Sequence, residues 1–152
     1  MRKLALAVRA ALMAAALLPL AAPAQAPAPQ KSGEITYIAG GIGEGEVAAM
    51  QQAAAGYSVM IEFVEVEPGK PHGSWTADVA VSVKAGKQEV ANIAVPGPLL
   101  LLRLPPGRYA VDAIHADVKL SKVLEIKPGA KVLRERFIWR AAPGALGSDL
   151  KT

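Results

Sequence analysis

The sequence predicts a mainly β fold, an antiparallel sandwich of seven strands preceded by one short α-helix. Apolar and polar residues alternate with a period of two from Tyr57 onward, which is typical of half-buried strands. Pro- and Gly-containing turns separate these segments, and a single stretch before them has helical spacing. The chain has 152 residues and no cysteine, so we expect one domain held together by its apolar core alone.

The N-terminal segment has the features of a secretory signal peptide. A basic start is followed by an apolar run of about eleven residues, Ala10 to Leu20, and by the small-residue sequence Ala22-Pro23-Ala24. The run is shorter than the roughly 18 to 20 residues that cross a bilayer. We expect a signal peptide over residues 1–24, with cleavage after Ala26 as the alternative to Ala24. The mature protein is then expected in the periplasm, without stable membrane insertion.

The charge balance changes when this leader is removed. The whole chain has 17 Lys and Arg against 13 Asp and Glu, a net charge of +4. Three of the basic residues, Arg2, Lys3 and Arg9, lie in the leader, which leaves 14 against 13. A net charge near +1 gives no strong field for a polyanion, so we expect no nucleic-acid partner.

The segment before the alternating strands is predicted to hold the helix. Residues 25–33 are rich in Pro and Ala and are expected to form a flexible linker. Residues 34–56 then contain a short apolar strand, a glycine-rich loop, and a helix from Glu44 to Ala55. Val47, Met50 and Ala54 share one face of this helix, and Gly56 is a typical C-terminal stop.

Seven strands are predicted within residues 57–140, and residues 141–152 are expected to be a flexible tail. Short turns such as Ala85-Gly86 and Pro96-Gly97-Pro98 separate the strands. The apolar cores of the predicted strands are Tyr57 to Phe63, Ala77 to Val83, Val90 to Val95, Leu99 to Leu104, Tyr109 to Ala113, Val118 to Ile126, and Leu133 to Trp139. Such regularly spaced short strands favour a sandwich.

The segment Leu104 to Tyr109 (LPPGRY) carries a family resemblance. Pro106 and Gly107 suit positions two and three of a type II turn, because proline presets φ and glycine accepts a positive φ. With its flanking strands, the segment resembles the signature of carboxypeptidase regulatory-like domains, which are related to Cna-B-type and transthyretin-like (prealbumin-like) modules. The likeness spans Tyr57 to Trp139, and Ile35 to Met50 is similar to small exported proteins of Gram-negative bacteria that carry this domain. It implies a β-sandwich accessory or binding module.

The sequence contains no strong catalytic or cofactor motif. The glycines at positions 41, 43 and 45 lack the spacing of a phosphate-binding loop, and Glu44 and Glu46 would repel a phosphate. The four serines at positions 58, 74, 82 and 121 lie in no G-x-S-x-G motif. We therefore expect no enzyme and no cofactor. The transthyretin-like hydrolases end in Tyr-Arg-Gly-Ser, and this chain does not.

A metal site is the less favoured interpretation of the two histidines, His72 and His115. Zinc sites typically use more histidines or several cysteines. The alternative is that Asp112, His115 and Asp117 gather as oxygen and nitrogen ligands near a turn. We expect solvated loop residues and no metal.

The loop from Glu67 to Thr76 contains the candidate partner-binding residues, His72 and Trp75. A tryptophan on a loop supplies a large amphipathic contact area at small entropic cost. The alternative is that Trp75 folds back onto a sheet edge. Trp139, beside Phe137 in an alternating strand, is expected in the core, with a mild basic patch formed by Arg134, Arg136 and Arg140.

These features together predict a non-enzymatic periplasmic accessory or binding module. It would present loops or a sheet edge to an envelope protein, the latter by strand addition. The alternative is a small-ligand domain that binds a sugar or a metal, or a degenerate transthyretin-like hydrolase. The sequence does not determine the oligomeric state.

Overall fold

The computed structural model describes residues 22–141. Most of the predicted signal peptide, residues 1–24, and of the predicted tail, residues 141–152, lies outside the described residues. Among the described residues, no helix is long and apolar enough to cross a membrane. The helix is α1 (Glu44–Ala53), and the strands are β1 (Gln30–Ser32), β2 (Ile35–Gly40), β3 (Val59–Val66), β4 (Ser74–Trp75), β5 (Val79–Ala85), β6 (Gln88–Val95), β7 (Leu99–Arg103), β8 (Gly107–His115), β9 (Val118–Ile126) and β10 (Leu133–Arg140).

The strands form two sheets, so the mainly β class and the single short helix are confirmed. Sheet A has the order β1-β2-β7-β3-β10, with β4 added to β3, and sheet B has the order β6-β5-β8-β9. Two details differ from the sequence prediction. The described chain has ten strands rather than seven, and β3 and β10 pair in parallel, whereas all other pairs are antiparallel.

Both differences have a physical reason. β1 and β4 have three and two residues, too few to show a hydrophobic period. The parallel pair arises because β9 belongs to sheet B and β10 to sheet A, so the chain crosses the sandwich and returns beside β3 in the same direction. Antiparallel pairing by a tight hairpin is possible only within one sheet.

The main core lies between the two sheets. Alternate residues of each strand point inward, and those of sheet A meet those of sheet B in one cluster. Phe63, Phe137 and Trp139 form its aromatic centre, with ring centroids 6.1 to 6.2 Å apart. The expectation that Trp139 is a core residue is confirmed, because only 5% of it is exposed.

The helix covers the opposite face of sheet A and creates a second core. Val47 and Met50 of α1 pack against Met60, Leu99 and Leu101. A 3-10 turn, Ala54–Gly56, then leads the chain into β3. Since both faces of β7 are covered, its four leucines are all fully buried. A continuous apolar run, rather than alternation, is the expected pattern for such a strand.

The N-terminal segment belongs to the sandwich rather than preceding it. Gln30–Ser32, within the expected flexible linker 25–33, pairs with β2, and β2 pairs with β7. Ala26 packs against the second core. The expected division between residues 34–56 and 57–140 therefore cuts through sheet A. Local composition suggested a linker, but backbone pairing and apolar contacts hold the segment in place.

Candidate functional site

Trp75 lies in a short strand on the outer side of sheet A. It pairs with Val64 of β3, and the Thr76 amide donates a hydrogen bond to the Phe63 carbonyl at 3.0 Å. The backbone on both sides of the indole is therefore fixed by β3. Half of the Trp75 surface remains exposed. The side chain thus lies at a sheet edge and still presents a large apolar area to solvent.

A cleft of about 490 Å³ separates Trp75 from the helix. Its lining consists of Gly41, Gly43, Glu44, Val47, Ala48, Gln51 and Trp75. Ala48 on the helix and Gly41 and Gly43 in the preceding loop leave room opposite the indole, while Glu44 and Gln51 add polar groups to the cleft. Ile42, in the adjacent loop, is 66% exposed. This is the surface that we call the Trp75 cleft.

The glycine-rich loop beside this cleft binds a carboxylate of the protein itself. The Glu46 carboxylate accepts hydrogen bonds from the amides of Gly41, at 2.7 Å, and Ile42, at 3.3 Å. Gly41 has a φ of 92°, and a Cβ there would come within 2.9 Å of Leu99. The carboxylate three residues into the helix acts much as in a capping box. These two amides are therefore not free for a phosphate.

His72 is placed differently from Trp75. It is exposed in the connection between β3 and β4. Within residues 22–141, no hydrogen bond or ion pair joins it to Trp75, and it does not line the Trp75 cleft. Of the two candidate partner-binding residues, only Trp75 therefore lines the cleft.

A second polar cluster surrounds His115, at the end of β8. Its Nε2 lies 3.1 Å from Thr76 Oγ1 and 3.4 Å from Glu65 Oε2. Its ring meets Trp139 edge-on, with centroids 5.5 Å apart, and its Nδ1 is buried without a hydrogen-bond partner among the described residues. Sequence reasoning missed Glu65 and Thr76 because they lie 50 and 39 residues from His115.

This cluster does not have the geometry of a nucleophile-base-carboxylate relay. In a relay, one ring nitrogen receives the nucleophile's proton while the other is held by the carboxylate. Here the hydroxyl and the carboxylate both approach Nε2. The arrangement instead joins the β3–β4 region of sheet A to the β8–β9 turn of sheet B.

The alternative metal set of Asp112, His115 and Asp117 does not assemble. No group of three His, Cys, Asp or Glu side chains within residues 22–141 is placed to hold a metal ion. Asp112 accepts a hydrogen bond from Ser121 Oγ and lies 3.9 Å from Lys84 Nζ. Asp117 lies in the tight turn between β8 and β9.

The LPPGRY segment has a structural role, although its turn differs from the prediction. Gly107 has a φ of 156°, whereas position three of a type II turn requires about 80°, so the type II assignment is wrong. The Tyr109 hydroxyl donates to the Pro105 carbonyl at 2.7 Å and so fixes the connection from β7 to β8. Burial raises the pKa of this phenol, because the charged form loses hydration.

Ser58 is likewise a structural residue. Its hydroxyl donates to the Leu104 carbonyl at 2.8 Å and accepts from the Leu104 amide at 2.9 Å. The hydroxyl thus donates one hydrogen bond and accepts another, both with the backbone of the residue that follows β7. A nucleophilic serine would need a neighbouring base, and the contacts of Ser58 are backbone groups instead.

No model of a known protein family matches the chain, and a search of curated proteins gives no match.

Proposed function

We propose that this protein is a non-enzymatic binding or accessory module of the periplasm that contacts an envelope protein through the Trp75 cleft. The observation that carries the proposal is the half-exposed indole of Trp75, held on a paired strand beside an open cleft. The leader-like N-terminus supports the periplasmic location.

We also propose that β3 and β5 to β10 form the transthyretin-like, seven-stranded sandwich of a carboxypeptidase regulatory-like domain. Support comes from the way that the chain alternates between the sheets, with β3, β7 and β10 in sheet A and the other four strands in sheet B. The LPPGRY segment lies at one of these crossings, where β7 leads to β8. On this proposal, β1, β2, β4 and α1 are additions to sheet A.

The fixed backbone of Trp75 favours its use as an anchor. Its strand is paired with β3, and the next residue, Thr76, contacts His115 through its side chain. The indole itself rotates about only two side-chain torsions, so it loses little entropy when a partner covers it. Tryptophan is enriched among the few residues that carry most of the binding energy of a protein interface.

The same cleft supports a second candidate function, the binding of a small ligand such as a sugar. Its volume of about 490 Å³ lies within the range of small-molecule sites. The Trp75 indole could stack on a sugar ring while Glu44 and Gln51 bind hydroxyl groups. A protein partner, in contrast, would cover a larger area than the cleft itself and would also contact the exposed Ile42.

Replacing Trp75 by alanine tests both candidates. We expect Trp75→Ala to abolish co-purification of a partner from envelope extracts, while the free energy of unfolding falls by only about 1 to 2 kcal/mol, because half of the side chain is already exposed. Ile114→Ala, which shortens a side chain on sheet B that is 42% exposed, is the matched control: it should cost a similar free energy of about 1 kcal/mol and leave co-purification unchanged. Circular dichroism melts and affinity purification give the two readouts.

Three results would contradict the partner-binding proposal. A loss of about 3 to 5 kcal/mol would show that Trp75 is a packing residue. Unchanged co-purification at unchanged stability would show that the cleft does not bind the partner. A thermal shift with sugars that disappears in Trp75→Ala would favour the small-ligand function.

A further inference from the structure

Among residues 22–141, β10 forms an edge of sheet A, and one side of its backbone has no neighbouring strand. Its partner in the described chain is β3. The Leu133 amide donates a hydrogen bond to the Ser58 carbonyl, just before β3, and the Ala141 amide, just after β10, donates one to the Val66 carbonyl. Because backbone groups alternate in direction along a strand, the odd-numbered residues of β10 bind β3. The N–H and C=O groups of residues 134, 136, 138 and 140 therefore face away from the sheet.

The other sheet edges in the described structure are either short or have a backbone group hydrogen-bonded by a side chain from elsewhere in the chain. On β6, the backbone N–H and C=O of Asn92 are both hydrogen-bonded by the Ser32 hydroxyl, at 2.8 and 3.0 Å. On β9, the Val118 carbonyl accepts from the Trp139 indole at 2.9 Å. β1 has only three residues. β10, with eight residues and neither proline nor a register shift against β3, is the longest regular edge of sheet A.

The outer face of β10 is strongly basic. Three of its four outward side chains are Arg134, Arg136 and Arg140, and the fourth is Ile138, which is 38% exposed. Glu62 pairs with Arg136 at 2.9 Å, while Arg134 contacts the Met60 sulfur at 3.2 Å. One carboxylate thus faces three guanidinium groups, and the strand keeps a positive surplus.

This charge pattern determines which occupant fits. If the β10 strands of two copies paired antiparallel, arginine side chains would lie opposite arginine side chains, and such like-charged pairs are destabilising. An added strand with alternating carboxylates would instead place negative charge opposite the arginines. A cleft of about 490 Å³ lies here, and its charged lining consists of Arg134, Arg136 and Lys122 together with Glu62 and Glu135. Glu62 pairs with Arg136 and Glu135 pairs with Lys122, so Arg134 supplies the positive charge that these pairs leave over, and the cleft provides room for an acidic side chain.

We propose that the outer edge of β10, which is unpaired among the described residues, binds an extended acidic segment of a partner protein that adds to sheet A as a further strand. Backbone hydrogen bonds to residues 134 to 140 would supply affinity, and the arginines would select acidic side chains. This binding surface is separate from the Trp75 cleft and does not depend on the function proposed there.

A synthetic eight-residue peptide of alternating Glu and Val is the probe. We expect it to bind the protein and to protect the amides of residues 134, 136, 138 and 140 from hydrogen exchange. A peptide with Lys in place of Glu should bind at least about 10-fold more weakly, because it repels the arginines. The Glu peptide with all backbone nitrogens methylated keeps its charges but donates no backbone hydrogen bond, and it should lose binding by a similar factor.

Two protein variants separate charge from strand addition. Arg134→Glu with Arg140→Glu should weaken binding of the Glu peptide by at least about 10-fold. Ile138→Pro removes an outward N–H that β3 does not use, and edge strands tolerate proline at such positions; it should weaken binding while Ile138→Thr does not. Circular dichroism establishes that each variant is folded, and if the proline variant unfolds, the methylated peptide decides.

Binding that requires the arginines but is insensitive both to peptide methylation and to Ile138→Pro would overturn strand addition, and would show attraction of polyanions to a basic patch. Equal binding of the Glu and Lys peptides would overturn the acidic specificity. Absence of binding at millimolar peptide and low ionic strength would overturn the proposal as a whole.

Discussion

Glu46 and Ser58 each use a single side-chain group to satisfy two backbone groups of a neighbouring segment. Glu46 binds two amides of the glycine-rich loop, and Ser58 binds both backbone groups of Leu104. Tyr109 performs a similar role at Pro105. Unpaired backbone groups are costly when they are removed from water. These polar side chains therefore stabilise the loops whose backbone groups they bind.

Gly107 is required by its backbone conformation rather than by lack of space. Its φ of 156° is disfavoured for residues with a Cβ, although a Cβ there would meet only the Tyr109 ring at an ordinary 3.7 Å. We expect Gly107→Ala to lower the free energy of unfolding by about 1 to 3 kcal/mol, as for other strained backbone positions. Urea denaturation measures the change.

Gly56→Ala is the control for this prediction. Gly56 ends the 3-10 turn, has no positive φ, and has open space around the position of a Cβ. Alanine there should be neutral or should stabilise the protein by up to about 1 kcal/mol, because it restricts the unfolded chain. Equal effects of the two substitutions would show that the conformation of Gly107 carries no strain.

At the scale of elements, the hairpin between β8 and β9 is closed by residues that are not ideal for its turn. His115 pairs with Val118, so the connection has two residues, and both have positive φ: 46° for Ala116 and 65° for Asp117. This is the pattern of a type I′ turn, which favours Asn-Gly. Alanine is held in the left-handed region at a cost.

Introducing Asn-Gly at this turn should therefore stabilise the protein. We expect Ala116→Asn combined with Asp117→Gly to raise the free energy of unfolding by about 1 kcal/mol. Ala116→Val, which places a β-branched residue at a positive φ, should lower it. Denaturant midpoints of the three proteins give the result, and the opposite order would contradict the type I′ assignment.

At the scale of the whole molecule, the stability of sheet A depends on contacts between segments that lie far apart in the sequence. Sheet A places β2 beside β7, and α1 covers Leu99 and Leu101 on its outer face. Without residues before Tyr57, these leucines and Met60 would be exposed together. Such a large apolar patch favours aggregation or loss of structure.

A fragment that begins at Tyr57 tests this dependence. We expect it to aggregate or to lack a cooperative thermal transition, whereas a protein that begins at Gln25 should melt cooperatively. Circular dichroism and size-exclusion chromatography measure the two properties. A soluble fragment with a cooperative melt would show that residues 57–140 fold by themselves and that β1, β2 and α1 are an attachment.

Local periodicity accounts for the parts of the fold that the sequence alone could predict. Alternation in Val79 to Val83 and in Tyr109 to Ala113 predicts strands because it depends only on the two-residue repeat of extended backbone. The helix is predictable in the same way from Val47 and Met50. These signals predict the mainly β class, and the structure confirms it.

Tertiary structure decided the features that depend on residues far apart in the chain. The parallel pairing of β3 with β10, the place of β1 in sheet A, and the contact of Glu65 and Thr76 with His115 leave no local pattern. The half-exposed position of Trp75 is of the same kind, since it depends on pairing with Val64 and on where α1 packs. Periodicity tells which face of an element is apolar, whereas the neighbour that covers this face is chosen only when the whole core assembles.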